Sequence, residues 1–203
     1  MADPDARPLI VAISGRPGSG KSVVAKEAAT RLGLRHVSAG DFMREMATER
    51  GMSILELSRV AEVDPSIDAE IDARTVRLGA TGESFVIDSR MAWHFIPESV
   101  KVFLDVRTDV AAGRIYASMR ETERENVDRA ATEAALVERT TSEADRYLRY
   151  YGVDYLDTGH YDVVIDTSTI PVEAVVDLLL AQVRFIRALH DGGEGQERGR
   201  TGL

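Results

Sequence analysis

The chain has 203 residues, no cysteine and a formal net charge of -9. That length suits one α/β domain with a substantial core, and the missing cysteine excludes disulfides, thiolate metal sites and a cysteine nucleophile. The acidic balance argues against a nucleic-acid binder, which needs a basic face to replace phosphate counterions.

Residues 1–8, MADPDARP, are polar and proline-bearing and read as an N-terminal extension without a signal peptide. No apolar run approaches the roughly 20 residues of a membrane helix, so a cytoplasmic protein is expected. PLIVAIS is an apolar run of strand length that stops at Gly15, followed by a glycine-rich turn and the helical pattern SVVAKEAATRLG. Gly33 ends that helix and RHVS supplies a second strand. In AGDFMREMATERG, Asp41 is placed as the cap of another helix, with Met43, Met46 and Ala47 on its apolar side and Gly51 at its close. Residues from Ser53 to about Gly79 are helical with a break near Asp64 and Pro65, because proline is well tolerated only in a first helical turn.

SFVIDS at 84–89 and KVFLDV at 101–106 are continuous apolar runs, as in strands buried on both faces of a parallel sheet. A charged helical stretch runs from Thr108 to about Tyr151 with a break around Glu125 to Asp128, and YDVVIDT at 161–167 is a fifth strand. Pro171 opens a last helix that continues to about Leu189. Residues 191–203 have too little apolar content to order themselves and read as a disordered tail. Alternating strands and helices predict a three-layer α/β/α domain over residues 9–190 with a five-stranded parallel sheet and ligands at the strands' carboxyl ends.

Residues 15–22, GRPGSGKS, match G-x-x-x-x-G-K-[ST] with a strand before and a helix after, the context of a P-loop NTPase. Gly15, Gly18 and Gly20 let the backbone turn tightly and aim N–H groups at phosphate oxygens near the positive end of the helix. Lys21 is placed to reach the β and γ phosphates, and Ser22 offers a hydroxyl to Mg2+. The ATP-binding set is then Gly15, Pro17, Gly18, Ser19, Gly20, Lys21, Ser22 and Val23. Asp88, at the end of FVID, is the candidate to hold the metal through water, and Asp105 at the end of FLD competes with it. No guanine-reading N-K-x-D or switch D-x-x-G is convincing, which leaves the small kinases. Lysine occurs only at Lys21, Lys26 and Lys101, so further cations must be arginines, a skew that genome composition also explains.

The chain resembles the cytidylate kinases of archaeal type, within the nucleoside monophosphate kinases, over about residues 9 to 187. The likeness rests on GRPGSGKS, HVSAGDFMREMA at 36–47, DPSIDAEID at 64–72, SRMAW at 89–93, ERTTSEADRYLRYYGVDY at 138–155 and YDVVIDTS at 161–168. It implies a helical acceptor-binding region at about 38–80, an arginine-bearing lid at about 114–150, and transfer of the γ-phosphoryl group of ATP to CMP or dCMP with Mg2+. By the same resemblance Ser38, Gly40, Asp41, Arg44 and Arg90 bind the acceptor, Asp68 and Asp72 read its base or ribose, and Asp41 sits near the metal's water shell. Arg114, Arg120, Arg139 and Arg146 are the implied catalytic cations beside Lys21. Two positions depart from the pattern: Met91 stands where bacterial members have aspartate, and Ser89 where archaeal members usually have glycine.

Arg139 and Arg146 are seven residues apart, two helical turns, so they project from one face toward a common anion. The i,i+4 spacing of Arg139 and Glu143 equally suits a surface ion pair. Arg114 and Arg120, six apart, share a face only if a helix ends between them. Trp93, His94 and Phe95 suit either a stacking wall for a pyrimidine or the core. The expected partners are ATP and a nucleoside monophosphate, with a monomeric chain, no nucleic acid and no membrane. Rival readings are a kinase of UMP, AMP or a shikimate-like alcohol, for which Asp41 would be the base, and an ATP-binding regulatory module without transfer.

Overall fold

The computed structural model describes residues 7–118 and 128–197. Five strands, β1 (Ile10–Gly15), β2 (Arg35–Ser38), β3 (Phe85–Asp88), β4 (Val100–Asp105) and β5 (Val163–Asp166), form one sheet in the order β2-β3-β1-β4-β5. Every pairing is parallel. The register aligns Ser38 with Asp88 and Asp105 with Asp166, so these side chains and Gly15 crowd one carboxyl edge.

Alternation along the strands sorts the core onto two faces. Val11 and Ile13 of β1, with Val102 and Leu104 of β4, pack beneath α1 (Lys21–Leu32) and α8 (Val172–Glu197). Ile10, Ala12, Phe85, Ile87 and Phe103 face the other way, against α5 (Ala92–Phe95) and Tyr147 of α7 (Arg129–Tyr151). Burying each such side chain is worth about 1.5–3 kcal/mol, and β1 and β3 are buried at every position. The edge strand β5 is covered on one face only, leaving Val164 47% exposed.

A satellite core of Met46, Ala47, Leu57, Ala61 and Ile67 joins α2 (Ala39–Glu49), α3 (Ile54–Ala61) and α4 (Pro65–Gly79). Asp64 caps α4 by accepting the Ser66 N–H, with Pro65 in the first turn, which accounts for the break near 64 and 65. The cap of α2 is Ser38, whose side chain accepts the Gly40 N–H. Asp41 lies inside the first turn and is not the cap, because Ser38 already holds the extended conformation a cap requires. α6 (Thr108–Ser118) meets α7 through Ala111, Ala112 and Leu136.

α8 runs to Glu197, past Leu189 and into the segment expected to be a disordered tail. Extending an established helix avoids the nucleation cost, so weak helix formers such as Gly192 and Gly193 are carried along. A 3-10 turn spans Thr158–His160. Among the described residues no helix is long and apolar enough to cross a membrane.

Candidate active site

β1 ends at Gly15, where a Cβ would sit 2.4 Å from the Leu104 carbonyl oxygen, and Gly18, at φ +80, lies so close to α6 that a Cβ would come within 2.7 Å of Ala111 Cβ. No side chain fits at either position. Between them Arg16 is anchored twice, by its N–H on Leu104 O at 3.1 Å and by Nε on Asp105 Oδ1 at 2.8 Å. Pro17 and Ser19 are buried in the turn, while Val23 is 59% exposed on α1. Gly20, left-handed at φ 83, precedes α1 and supplies no side-chain cap. The first-turn N–H groups of α1 therefore face the loop's hollow with the positive helix end behind them, an arrangement that takes an anion.

Asp88 is 2% exposed and receives three partners. Ser22 Oγ donates to Oδ2 at 2.5 Å, Lys21 Nζ donates to the same oxygen at 3.2 Å, and His36 Nε2 lies 3.0 Å from Oδ1. Asp105 turns instead to Arg16, so of the two strand-end aspartates only Asp88 reaches Lys21 and Ser22. Burial alone would raise the Asp88 pKa, but Lys21 and the Ser22 and Ser38 hydroxyls hold it below the usual carboxylate value. Burial and then the nearby Arg90 charge lower the Lys21 pKa, against the pull of Asp88.

Across the cleft Arg90 donates through Nε to Glu143 Oε2 at 2.8 Å, and Arg139 Nε binds the other oxygen of the same carboxylate at 2.9 Å. Burial works against the Arg90 charge, yet Glu143 keeps its pKa above the ordinary value. The i,i+4 pair foreseen between Arg139 and Glu143 thus forms, and Arg139 shares that carboxylate with Arg90 rather than with Arg146. Arg146 Nε lies 3.2 Å from Asp68 Oδ2, and Tyr151 donates its hydroxyl to Asp72 Oδ2 at 2.5 Å, so α7 is tied to α4 at two points. Burial pushes Asp72 up to about 6 although the Tyr151 hydrogen bond opposes it. Beside Arg146 a cavity of ≈ 450 Å³ opens, lined in part by Thr141, Ser142, Asp145 and Arg149. On α2, Arg44 pairs with Asp41 in the open, both more than half exposed.

Arg114 stands apart from this cluster. Its Nη2 donates to Thr167 O at 2.6 Å and its Nη1 reaches Thr167 Oγ1 at 3.1 Å. α6 carries Arg114, whereas Arg120 lies outside the described residues. Trp93 is 6% exposed, stacks on His160 at 4.8 Å and donates Nε1 to Arg90 O; it belongs to the core and steadies the Arg90 turn.

Sequence reasoning missed His36, Tyr151 and Thr167 in these roles and gave Glu143 only a surface pairing. Glu143 alone carried a local signal, its spacing from Arg139. The others meet their partners across the fold.

The sequence model of the cytidylate kinase-like family matches residues 10–169. A cytidylate kinase from Methanothermobacter thermautotrophicus is 41% identical over 166 residues, covering 82% of this chain and 99% of that one. One from Halobacterium salinarum is 36% identical over 187 residues, covering 91% and 94%. Among solved structures, an uncharacterized protein from Eubacterium ventriosum superposes with a TM-score of 0.66 at 20% identity over 87% of this chain and 98% of that one. A gluconokinase from Sinorhizobium meliloti gives 0.58 at 15% identity over 93% and 98%. At those identities the structural likenesses establish the fold alone.

Proposed function

The chain belongs to the cytidylate kinase-like family, and on that premise we propose that it transfers the γ-phosphoryl group of ATP to CMP or dCMP. The observation that carries the reading is the meeting of a phosphate-shaped loop, with Lys21 and Ser22 on Asp88, and a buried guanidinium, Arg90, close enough to depress the Lys21 pKa.

The donor phosphates lie along the amides of Gly18 to Ser22 with Lys21 at the transferring group. Arg90 and Arg139, now shared on Glu143, and Arg146, now beside Asp68, turn to the acceptor phosphate and to the charge that spreads in the transition state. Ser38, Gly40 and Arg44 frame the acceptor entrance, with Asp68 and Asp72 on the base or ribose side. Arg114 belongs to the donor side, beside Gly18.

Mg2+ fits the hard oxygen pair of Ser22 Oγ and Asp88 Oδ2. Among the described residues no group of three or more His, Asp or Glu could hold a metal, so most ligands would come from phosphate and water. The ion's contribution would be to neutralise charge on the phosphates as the bond shifts.

A monophosphate oxygen is already anionic near neutral pH and needs no strong base. An alcohol would need one, and Asp41 is exposed and bound to Arg44, which favours the monophosphate. ADP release measured across CMP, dCMP, UMP, AMP and shikimate tests the reading. The cytidine monophosphates should give the highest kcat/KM. Activity confined to shikimate would overturn the acceptor class, and ATP binding without acceptor-stimulated transfer would point to a regulatory module.

A further inference from the structure

The turn after β5 is tied to the donor loop by a set of side-chain contacts centred on Thr167. Thr167 is 1% exposed. Its Oγ1 lies 3.1 Å from the Ser19 carbonyl oxygen and 3.1 Å from that of Asp105, and it accepts Arg114 Nη1 at 3.1 Å. A hydroxyl has one proton to donate. The Asp105 carbonyl already receives the Thr167 N–H at 2.9 Å, so the proton serves Ser19 best. Arg114 closes the clasp by donating to Thr167 O at 2.6 Å and reaching Gly18 O at 3.4 Å.

The peptide between Ser19 and Gly20 needs such a restraint. Glycines on both sides of Ser19 make rotation of its flanking peptides inexpensive. A trans peptide is planar, with N–H and C=O pointing in opposite directions. Holding the Ser19 carbonyl outward on Thr167 therefore turns the Gly20 N–H inward, toward the hollow where the start of α1 attracts anions.

We propose that Thr167 is a positioning residue of the donor site, its hydroxyl, backed by Arg114, locking the Ser19–Gly20 peptide so that the Gly20 N–H is aimed at a donor phosphate before ATP arrives. The inference rests on the donor-loop reading above. Thr167→Val replaces the hydroxyl by a methyl of similar shape, and Thr167→Ser restores it. Calorimetric ATP binding without acceptor, together with kcat and both KM values, separates aiming from folding. Thr167→Val should weaken ATP about tenfold, the scale of one hydrogen bond to a charged group, with acceptor KM unmoved. Thr167→Ser should stay within about twofold of the wild type.

Wild-type ATP affinity in Thr167→Val, equal losses in the serine and valine variants, or a loss shared equally by acceptor KM would each overturn the proposal. Should the valine variant fail to fold, Arg114→Met must show ATP-selective weakening of about threefold, and unchanged affinity there would overturn it. A wild-type protein that binds no ATP would instead sink the donor-loop reading, and the clasp with it.

Discussion

Glu143 accepts Arg90 Nε at 2.8 Å from 53 residues away in sequence, with side-chain exposures of 14% and 15%. The same carboxylate takes Arg139, so one anion orients two cations in the way a phosphate would. Glu143→Ala leaves Arg90 buried without its counter-charge and should cost about 3–5 kcal/mol of stability, whereas Glu143→Gln keeps an acceptor and should cost less. Denaturant midpoints give the comparison. A loss in the alanine variant no larger than that of an exposed surface pair, about 0.5 kcal/mol, would remove Glu143 from the role of organiser.

Lys21→Met should reduce kcat by at least about a hundredfold, the scale of losing one aimed transition-state donor. The fold should persist, because Asp88 keeps its contacts with Ser22 and His36. Burial is the largest influence on Asp88 and only the Lys21 charge and hydrogen bonds offset it, so its pKa rises in the variant. Turnover at the wild-type rate, with melting unchanged, would contradict the donor assignment.

Asp72 carries the clearest pH signature. Burial raises its pKa from 3.8 to about 6 in the folded protein, so between those values the folded state holds a proton that the unfolded chain has released. Its contribution is therefore most favourable in acid and is lost as pH climbs through about 6. Asp72→Asn keeps an acceptor for the Tyr151 hydroxyl while removing the charge. The asparagine variant should melt above the wild type at pH 8, and that advantage should vanish near pH 4. Parallel melting curves across this range would show that the carboxyl titrates normally.

What was legible in the sequence is what depends on neighbours along the chain. GRPGSGKS marked the candidate donor loop because its glycines, lysine and serine act within a single turn, and apolar runs announced four of the five strands, with RHVS read as the other. Asp64 followed by Pro65 marked the start of α4. The α2 cap was misassigned to Asp41 because two capping residues stand close together, and backbone conformation chose Ser38. Position put Asp88 ahead of Asp105 without excluding the latter, since both end apolar strands. The third dimension settled which reaches Lys21, by giving Asp105 to Arg16. Thr167, although part of YDVVIDTS, carried no signal of its contact with Ser19, which lies 148 residues away.

Asp68 and Arg146 offer a last test, because their pairing joins α4 to α7 without good hydrogen-bond geometry. The charges approach to 3.2 Å at side-chain exposures of 10% and 19%, yet neither Asp68 Oδ2 nor Arg146 Nε has an aligned hydrogen-bond partner. The distance and the orientation pull in different directions; the attraction is therefore mainly coulombic, and a phosphate with better geometry would displace it readily. Burial already raises the Asp68 pKa, and Arg146 is the charge that opposes this. In Arg146→Ala that opposition is gone, so Asp68 must either stay charged in a dry setting or take up a proton. The variant should lose stability most above neutral pH and recover part of it on acidification, because the folded state then binds the proton it favours. Combining Asp68→Asn with Arg146→Ala should erase most of this pH dependence and give a coupling of about 0.5–3 kcal/mol. A deficit in Arg146→Ala of equal size at pH 5 and pH 8 would show that the arginine contributes packing rather than charge.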